Sequence, residues 1–328
     1  MTSPPPPIAS GSAAGAQALP AADPYAAGAL QRALRVVGDY VELTKPKVQS
    51  LLLLTTISSM YIAGTPSALL VAATCLGGYL SAGGAGAINH YLDRDIDALM
   101  RRTAQRPIPA GRISGRAAVI FGCTLAALSV LELSLAVNTL AAALSFCGFL
   151  GYVGVYTAWL KRRTPQNIVI GGAAGAVPPL VGWAAVTGGL SATALILFFI
   201  VFFWTPPHFW SLSLLMKGDY ERVGVPMMPV AHGEQETRRQ ILLYTVLLYM
   251  VTQLPFCAGA FGPFYLGASL VLGFAFIAGA VRLYRSGTRA TADGAGAALL
   301  RRNALQLYLF SLAYLALLFA AMVVDVRL

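Results

Sequence analysis

Charge is what this sequence has least of. Asp, Glu, Lys and Arg make up 11% of its 328 residues, while 57% are hydrophobic. Soluble domains carry about a quarter charged residues, so the scarcity excludes an ordinary globule and indicates an integral membrane protein. Acids are scarcer than bases, 13 against 23, for a formal charge of +10. That excess does not imply nucleic acid as a partner. The basic residues lie between apolar spans, where they orient a protein in the lipid bilayer. Cysteine is also rare. Cys75, Cys123, Cys147 and Cys257 all fall inside apolar spans without metal-ligand spacing, so neither a disulfide framework nor a thiolate metal site is expected. No basic stretch followed by a compact apolar run opens the chain, so no secretory leader is expected. Arg32 and Arg35 alone are too few for a mitochondrial presequence. The expected location is a bacterial plasma (inner) membrane in preference to a mitochondrial inner membrane.

What is present is organised by long apolar runs. Residues 1–37, rich in Pro, Ala, Gly and Ser and carrying Pro4 to Pro7 in a row, read as a disordered cytosolic tail. Residues 38–328 read as one all-α polytopic membrane domain. Nine spans near the ~20 residues a bilayer requires are predicted at 46–64, 68–91, 114–133, 137–159, 166–187, 191–214, 238–258, 263–284 and 304–324. The charges test that count. With the tail and every second connection on one side, that side holds 22 of the 23 basic residues and leaves Arg327 for the other. A cytosolic N-terminus and an outside C-terminus follow from the positive-inside rule. The small residues of GGYLSAGGAGAIN and GGAAGAVPPLVGW predict close helix packing. Pro178-Pro179 and Pro206-Pro207 are each predicted to break a helix inside the bilayer, and the freed carbonyls suggest a central chamber.

Polar chemistry is concentrated in NHYLDRDIDALMRRTAQRPIPAGR, residues 89–112. Were it helical, Asn89, Asp93 and Asp97 would stack at i, i+4 and i+8 on one face, with Asp95 opposite. Two carboxylates about 6 Å apart repel by roughly 3 kcal/mol at an effective dielectric near 20. Such a row expects a cation, and all-oxygen ligands favour Mg²⁺ shared with substrate phosphates. The competing reading is a charged surface loop whose Asp and Arg pair among themselves. Arginines placed just beyond the row favour a metal-and-guanidinium site for a diphosphate. A second acidic loop, MKGDYERVGVPMMPVAHGEQETRRQ, lies between spans 6 and 7 on the same side, which suggests one shared site.

Asn89-x3-Asp93-x3-Asp97 followed by Arg102-Thr103-x2-Arg106-x4-Gly111 resembles the signature of the intramembrane UbiA-type prenyltransferases. NHYLDRDIDALMRRT, YTAWLKRRTPQNIVIGGAAGAVPPLVGW, WTPPHFWSLSLL and DYERVGVPMMPV are similar to its haem-farnesylating branch, and the likeness covers about 40–325. The resemblance implies a UbiA-type helical bundle and an enzyme acting on farnesyl diphosphate and haem B, with haem O as product and a downstream haem A synthase as a partner. It implies that Asn89, Asp93 and Asp97 hold Mg²⁺ and that Arg102 and Arg106 bind diphosphate oxygens, assisted by Lys161 or Arg162. Asp219 would hold Mg²⁺ from the other side. Many family members carry a second Asp-x3-Asp there; here Val223 stands four residues after Asp219, so that Glu221 would substitute for the missing carboxylate or Lys217 would contact the diphosphate directly.

Two other readings compete. Prenylation of an aromatic acid in quinone synthesis is the alternative within the family, but that branch normally has Asp where this chain has His90, and it lacks WTPPHFW. A transporter would place ionisable groups deep in its spans, where Glu132 and His208 are the candidates. His208, with Trp204, Phe209 and Trp210 around it, is expected to position haem B by iron ligation or by a hydrogen bond to a propionate. His90 is the competing haem residue.

Overall fold

The computed structural model describes residues 28–286 and 294–328, and these are helical throughout their ordered elements. In order they are α1 (Ala29–Leu43), α2 (Pro46–Ala63), α3 (Ala68–Leu92), α4 (Arg94–Leu99), α5 (Gly115–Ala136), α6 (Thr139–Leu150), α7 (Asn167–Gly175) and α8 (Pro178–Thr187). There follow α9 (Ala192–Leu215), α10 (Lys217–Arg222), α11 (Met228–Ala231), α12 (Gly233–Cys257), α13 (Pro263–Ser286) and α14 (Gly294–Asp325). α6 continues without a break into a π-helical segment, Gly151–Leu160. Eight helical stretches are long and apolar enough to cross a bilayer, with α6 and its π extension counted as one, and α7 with α8 as another. α2 is not among the eight: it has 18 residues, and Lys47, Gln49 and a run of Ser and Thr dilute its leucines. The chain is a multi-pass membrane protein.

Two sequence expectations need correction. The tail was expected to run to residue 37, yet α1 already begins at Ala29. Leu34, Val37 and Val41 recur at helical spacing, so the segment is amphipathic despite its small residues; residues 1–27 lie outside the described residues. Pro206-Pro207 does not break a helix either, because α9 runs through both. The two prolines leave Phe202 O and Phe203 O without their i+4 N–H donors, while the flanking turns are tied by Thr205 Oγ1 donating to Val201 O at 2.8 Å and Ser211 Oγ to Pro207 O at 2.6 Å. Pro178-Pro179 behaves as expected and separates α7 from α8.

Small residues set the helix spacing. α3 and α5 cross where Gly84 meets Gly122, and a Cβ at Gly84 would lie 2.6 Å from Gly122 O. The corner between α1 and α2 rests on the next turn of α3, where a Cβ at Gly86 would lie 2.8 Å from Leu43 O. α2 and α8 are closer still. A Cβ at Gly182 would stand 2.2 Å from Thr56 O, and Ser59 Oγ donates to Pro179 O at 2.7 Å. The largest apolar core lies among α9, α12, α13 and α14, around Trp210, Tyr265, Phe276, Tyr314 and Phe319.

The two ends of the bundle differ in chemistry. One gathers Lys45, α4, the 100–114 loop, the end of the π segment and α10. At the other, Asp325 caps α13 by accepting from Gly262 N at 2.5 Å and Tyr265 N at 2.9 Å, and Arg327 Nη2 donates to Gly64 O at 2.9 Å. Gly182→Ala is expected to cost about 1–3 kcal/mol by overpacking. Gly78→Ala, with open space at its Cβ, is expected to be neutral or stabilising. Thermal melts in detergent check both.

Candidate active site

The charged end is built on a kinked helix. α3 stops at Leu92 and α4 starts at Arg94, with Asp93 between them at φ −92°, ψ 2°. Backbone bonds still bridge the kink: Asp93 N donates to Asn89 O at 2.9 Å and Asp97 N to Asp93 O at 2.8 Å. The i, i+4, i+8 spacing therefore survives, and Asn89, Asp93 and Asp97 are all buried, at 3%, 1% and 2% exposure. Asp95 faces away, as the helical phase predicts, and pairs with Arg162 through two bonds of 2.6 Å. That bidentate contact pulls the exposed Asp95 carboxyl down to about 2.

Each polar member of the buried row has a cation. Lys45 Nζ donates to Asn89 Oδ1, Lys161 Nζ pairs with Asp93 Oδ2 at 2.5 Å, and Arg106 Nη1 with Asp97 Oδ2 at 2.6 Å. Asn89 Nδ2 donates to Asp93 Oδ2 at 2.8 Å and to Thr157 Oγ1 at 3.2 Å. Three cations thus surround two carboxylates, leaving one positive charge in excess in a poorly hydrated place. Asp93 Oδ1 is enclosed and has no hydrogen-bond partner. An enclosed orphan acceptor beside surplus positive charge asks for a ligand that brings both a cation and an anion.

The elements supplying these groups come from far apart in the chain. Lys45 precedes Pro46 and holds φ 55°, the one non-glycine residue with positive φ among the described residues. A left-handed residue before proline is disfavoured, and such strain collects at functional sites. Burial, and then the Arg106 charge, push the Lys45 amine down to about 8, against the pull of Asp93 and Asp97. The π segment is the second device. Its i→i+5 bonding, an arrangement frequent at functional sites, carries Thr157 to Asn89. Lys161, just beyond it, reaches Asp93, and Tyr152 OH accepts from Lys45 Nζ at 3.4 Å. The 100–114 loop brings Arg106, steadied by Thr103 Oγ1 donating to Asp97 O at 2.9 Å and by Arg112 paired with Asp39 at 2.8 Å.

Several residues expected in the site stand elsewhere. Arg162 gives its guanidinium to Asp95 and to Leu92 O, on the opposite side of α4 from Asp93 and Asp97. Asp219 pairs with Arg222 at 3.3 Å and Lys217 with Glu234 at 3.2 Å; neither bonds to the Asn89–Asp97 row. α10 nonetheless lies close, because the charges of Arg102 and Asp93 act on Tyr220, whose phenol burial raises above its usual value. Arg102 is exposed and forms no ion pair among the described residues. No group of three His, Cys, Asp or Glu side chains forms a complete metal cage among the described residues. His90 is buried in the last turn of α3, and its Nδ1 has no partner. His208 in α9 is also buried; its Nδ1 meets Ser311 Oγ at 2.7 Å, not a carbonyl freed by proline. Trp204 stacks on His208 itself, Trp210 is packed edge-on against Tyr244, and Phe209 is 40% exposed, so these aromatics do not form one slot. Lys45, Thr157 and Tyr152 are absent from the sequence reading. A lysine followed by proline at the mouth of a span was the available signal for Lys45.

Comparison with known proteins agrees with the fold and the motif. Residues 52–300 match the model of the UbiA prenyltransferase family. The chain is 53% identical over 292 residues to a protoheme IX farnesyltransferase of Chloroflexus aurantiacus, covering 88% of this chain. It spans only about half, 48%, of that relative's length. A protoheme IX farnesyltransferase of Symbiobacterium thermophilum is 50% identical, with 89% of this chain and 95% of the relative covered. Among solved structures, a UbiA homolog from Archaeoglobus fulgidus bound to DMAPP and Mg2+ superposes with a TM-score of 0.64 at 18% identity, over 87% of this chain and 99% of that one. The chain belongs to the UbiA prenyltransferase family.

Proposed function

We propose that the chain transfers the farnesyl group of farnesyl diphosphate to a vinyl group of haem B, with addition of water, giving haem O and diphosphate. The observation that carries this reading is the buried row of Asn89, Asp93 and Asp97 with Lys45, Lys161 and Arg106 interleaved. It is a site for an anion that arrives with a divalent cation, and the relatives' name, protoheme IX farnesyltransferase, supplies the acceptor.

The donor set fits Mg²⁺, which takes one or two carboxylates and completes its shell with water and phosphate oxygens. Asp93 through its unbonded Oδ1, Asp97 and, once Lys45 turns away, Asn89 would hold it; Asp219 and Lys217 would close from α10. Bound there, Mg²⁺ neutralises charge on the leaving diphosphate. Lys161, Arg106 and Lys45 exchange their carboxylate and amide partners for diphosphate oxygens, joined by Arg102 from the surface. The C1–O bond of the farnesyl diphosphate breaks with its electron pair leaving on diphosphate. The haem vinyl group adds to C1, and water captures the new cation and loses a proton. An apolar chamber keeps bulk water from the allylic cation. His208, or His90 beside the row, holds the haem.

The topology belongs to the same proposal. α2 starts among the site cations and ends beside Arg327, at the other end of the bundle. Its 18 residues reach about 27 Å, close to a bilayer's apolar thickness, and it is the ninth span. With 22 of 23 basic residues on the site's side, the site and N-terminus face the cytosol of a bacterial inner membrane, and haem A synthase takes the product.

Asp93→Asn and Asp97→Asn are expected to lower conversion of haem B to a farnesylated haem by about 10²-fold or more, and a chelator to abolish it until Mg²⁺ is restored. Asp95→Ala should retain most activity; equal loss in all three would contradict the assignment. An alkaline phosphatase fused after Leu328 is expected to be active outside the cytosol, and a cytosolic reading would overturn the nine-span topology.

A further inference from the structure

His208 is held on three sides by named neighbours. Trp204 stacks on its ring at 4.3 Å between centroids and 19°, and Tyr308 of α14 at 4.9 Å and 29°. Two nearly parallel rings at those distances cannot share a face, so both faces are covered and no porphyrin can stack there. Nδ1 lies 2.7 Å from Ser311 Oγ. Nε2 makes no hydrogen bond among the described residues and, unlike Nδ1 of His90, is not sealed away from the surface. Nε2 is thus the imidazole nitrogen without a hydrogen bond, in a buried ring that Phe209 meets edge-on at 5.4 Å.

Ser311 decides what that nitrogen can do. A serine hydroxyl has one hydrogen, and Ser311 Oγ donates it to Tyr308 O at 2.6 Å. Towards His208 the oxygen can then only accept, so Nδ1 carries the proton and Nε2 the lone pair. The opposite tautomer would turn the hydroxyl to Nδ1 and leave Oγ and the Tyr308 carbonyl facing each other at 2.6 Å without a hydrogen between them. The Ser311 backbone carbonyl meanwhile accepts Trp204 Nε1 at 2.7 Å, so one residue of α14 fixes both the imidazole and the indole that covers it.

A neutral imidazole without a hydrogen on Nε2 cannot donate to a propionate. It can bind a metal, and metal-bound histidines characteristically donate their other N–H to a neighbouring acceptor. We infer that Ser311 is a positioning residue that holds His208 in the Nδ1–H form, so that Nε2 serves as a ligand to the haem iron and not as a hydrogen-bond donor to a propionate. This rests on haem B being the acceptor; the tautomer itself does not.

The test uses the full chain in lipid nanodiscs with ¹⁵N-labelled histidine. The chain has three histidines, and the His208→Gln spectrum assigns the signal. The haem-free wild type at neutral pH is expected to show His208 as Nδ1–H, and Ser311→Ala to shift it towards Nε2–H, with Ser311→Thr restoring the wild-type form. A wild-type Nε2–H signal, or no change in Ser311→Ala, overturns the lock. In parallel, Soret titrations with haem B are expected to weaken about ten- to hundredfold in Ser311→Ala and further in His208→Ala. Binding of iron-free protoporphyrin IX and of farnesyl diphosphate should be unchanged. Equal loss of haem B and protoporphyrin IX overturns iron ligation in favour of a contact to the porphyrin edge. A wild type that shows the Nδ1–H form yet neither binds nor consumes haem B overturns the proposed acceptor, and the ligand role with it.

Discussion

The structure depends on neutralising two carboxylates that sit side by side where water is scarce. Asp93 and Asp97, each about 2% exposed or less, would repel strongly if left bare. They persist because Lys161 and Arg106 are brought to them from other elements. The third cation, Lys45, is bound to the amide of Asn89 and leaves the cluster one charge positive. Replacing a buried ion pair by well-packed apolar residues is often neutral or stabilising by about 1–4 kcal/mol, so the arrangement makes poor sense as a stabilising device alone. As a site poised to trade internal partners for a metal diphosphate, it is coherent: each cation has a carboxylate or amide to hold while the ligand is absent.

Everything nearby serves that interleaving. Glycines at 84 and 86 let α5 and the α1–α2 corner approach α3, which brings Lys45 within reach of Asn89. The kink at Asp93 redirects the chain without losing the four-residue spacing of the row. The π segment turns Thr157 to Asn89, with Lys161 close behind at Asp93. Elsewhere in the bundle, Ser311 joins α14 to α9 through both Trp204 and His208. Polar order inside this apolar bundle is therefore confined to a few side-chain clusters, each tied to a helix distant in sequence.

What the sequence made legible was local or statistical. The Asn89, Asp93 and Asp97 face follows from helical spacing alone, and so does the outward placing of Asp95. The membrane class follows from scarcity of charge, and the break at Pro178-Pro179 from proline chemistry. Pairings across the fold were not legible. Lys45 lies 44 residues from Asn89 and Tyr152 lies 107 from Lys45, and nothing in spacing announces either contact. Arg162 stands next to Lys161 in sequence yet points to Asp95, because the turn that follows the π segment sends the two side chains in different directions. Pro206-Pro207 does not end α9, because two adjacent prolines remove only the donors to the Phe202 and Phe203 carbonyls and leave the rest of the helix bonded. α1 was hidden because its first turns follow directly on the Pro-, Ala- and Gly-rich tail without a capping side chain to mark the start.

In the proposed reaction Lys45, Lys161 and Arg106 exchange buried internal partners for a metal-bound diphosphate. Binding of farnesyl thiodiphosphate, an unreactive analogue, tests it most directly when measured by calorimetry with and without Mg²⁺. Each replaced cation removes a charge-assisted contact of about 1.5–3 kcal/mol, or roughly ten- to hundredfold in affinity. Binding is expected to depend on Mg²⁺ and to be weakened by that amount in Lys45→Met, Lys161→Met and Arg106→Met proteins that remain folded. Affinity independent of Mg²⁺ and unchanged in all three variants would contradict the exchange.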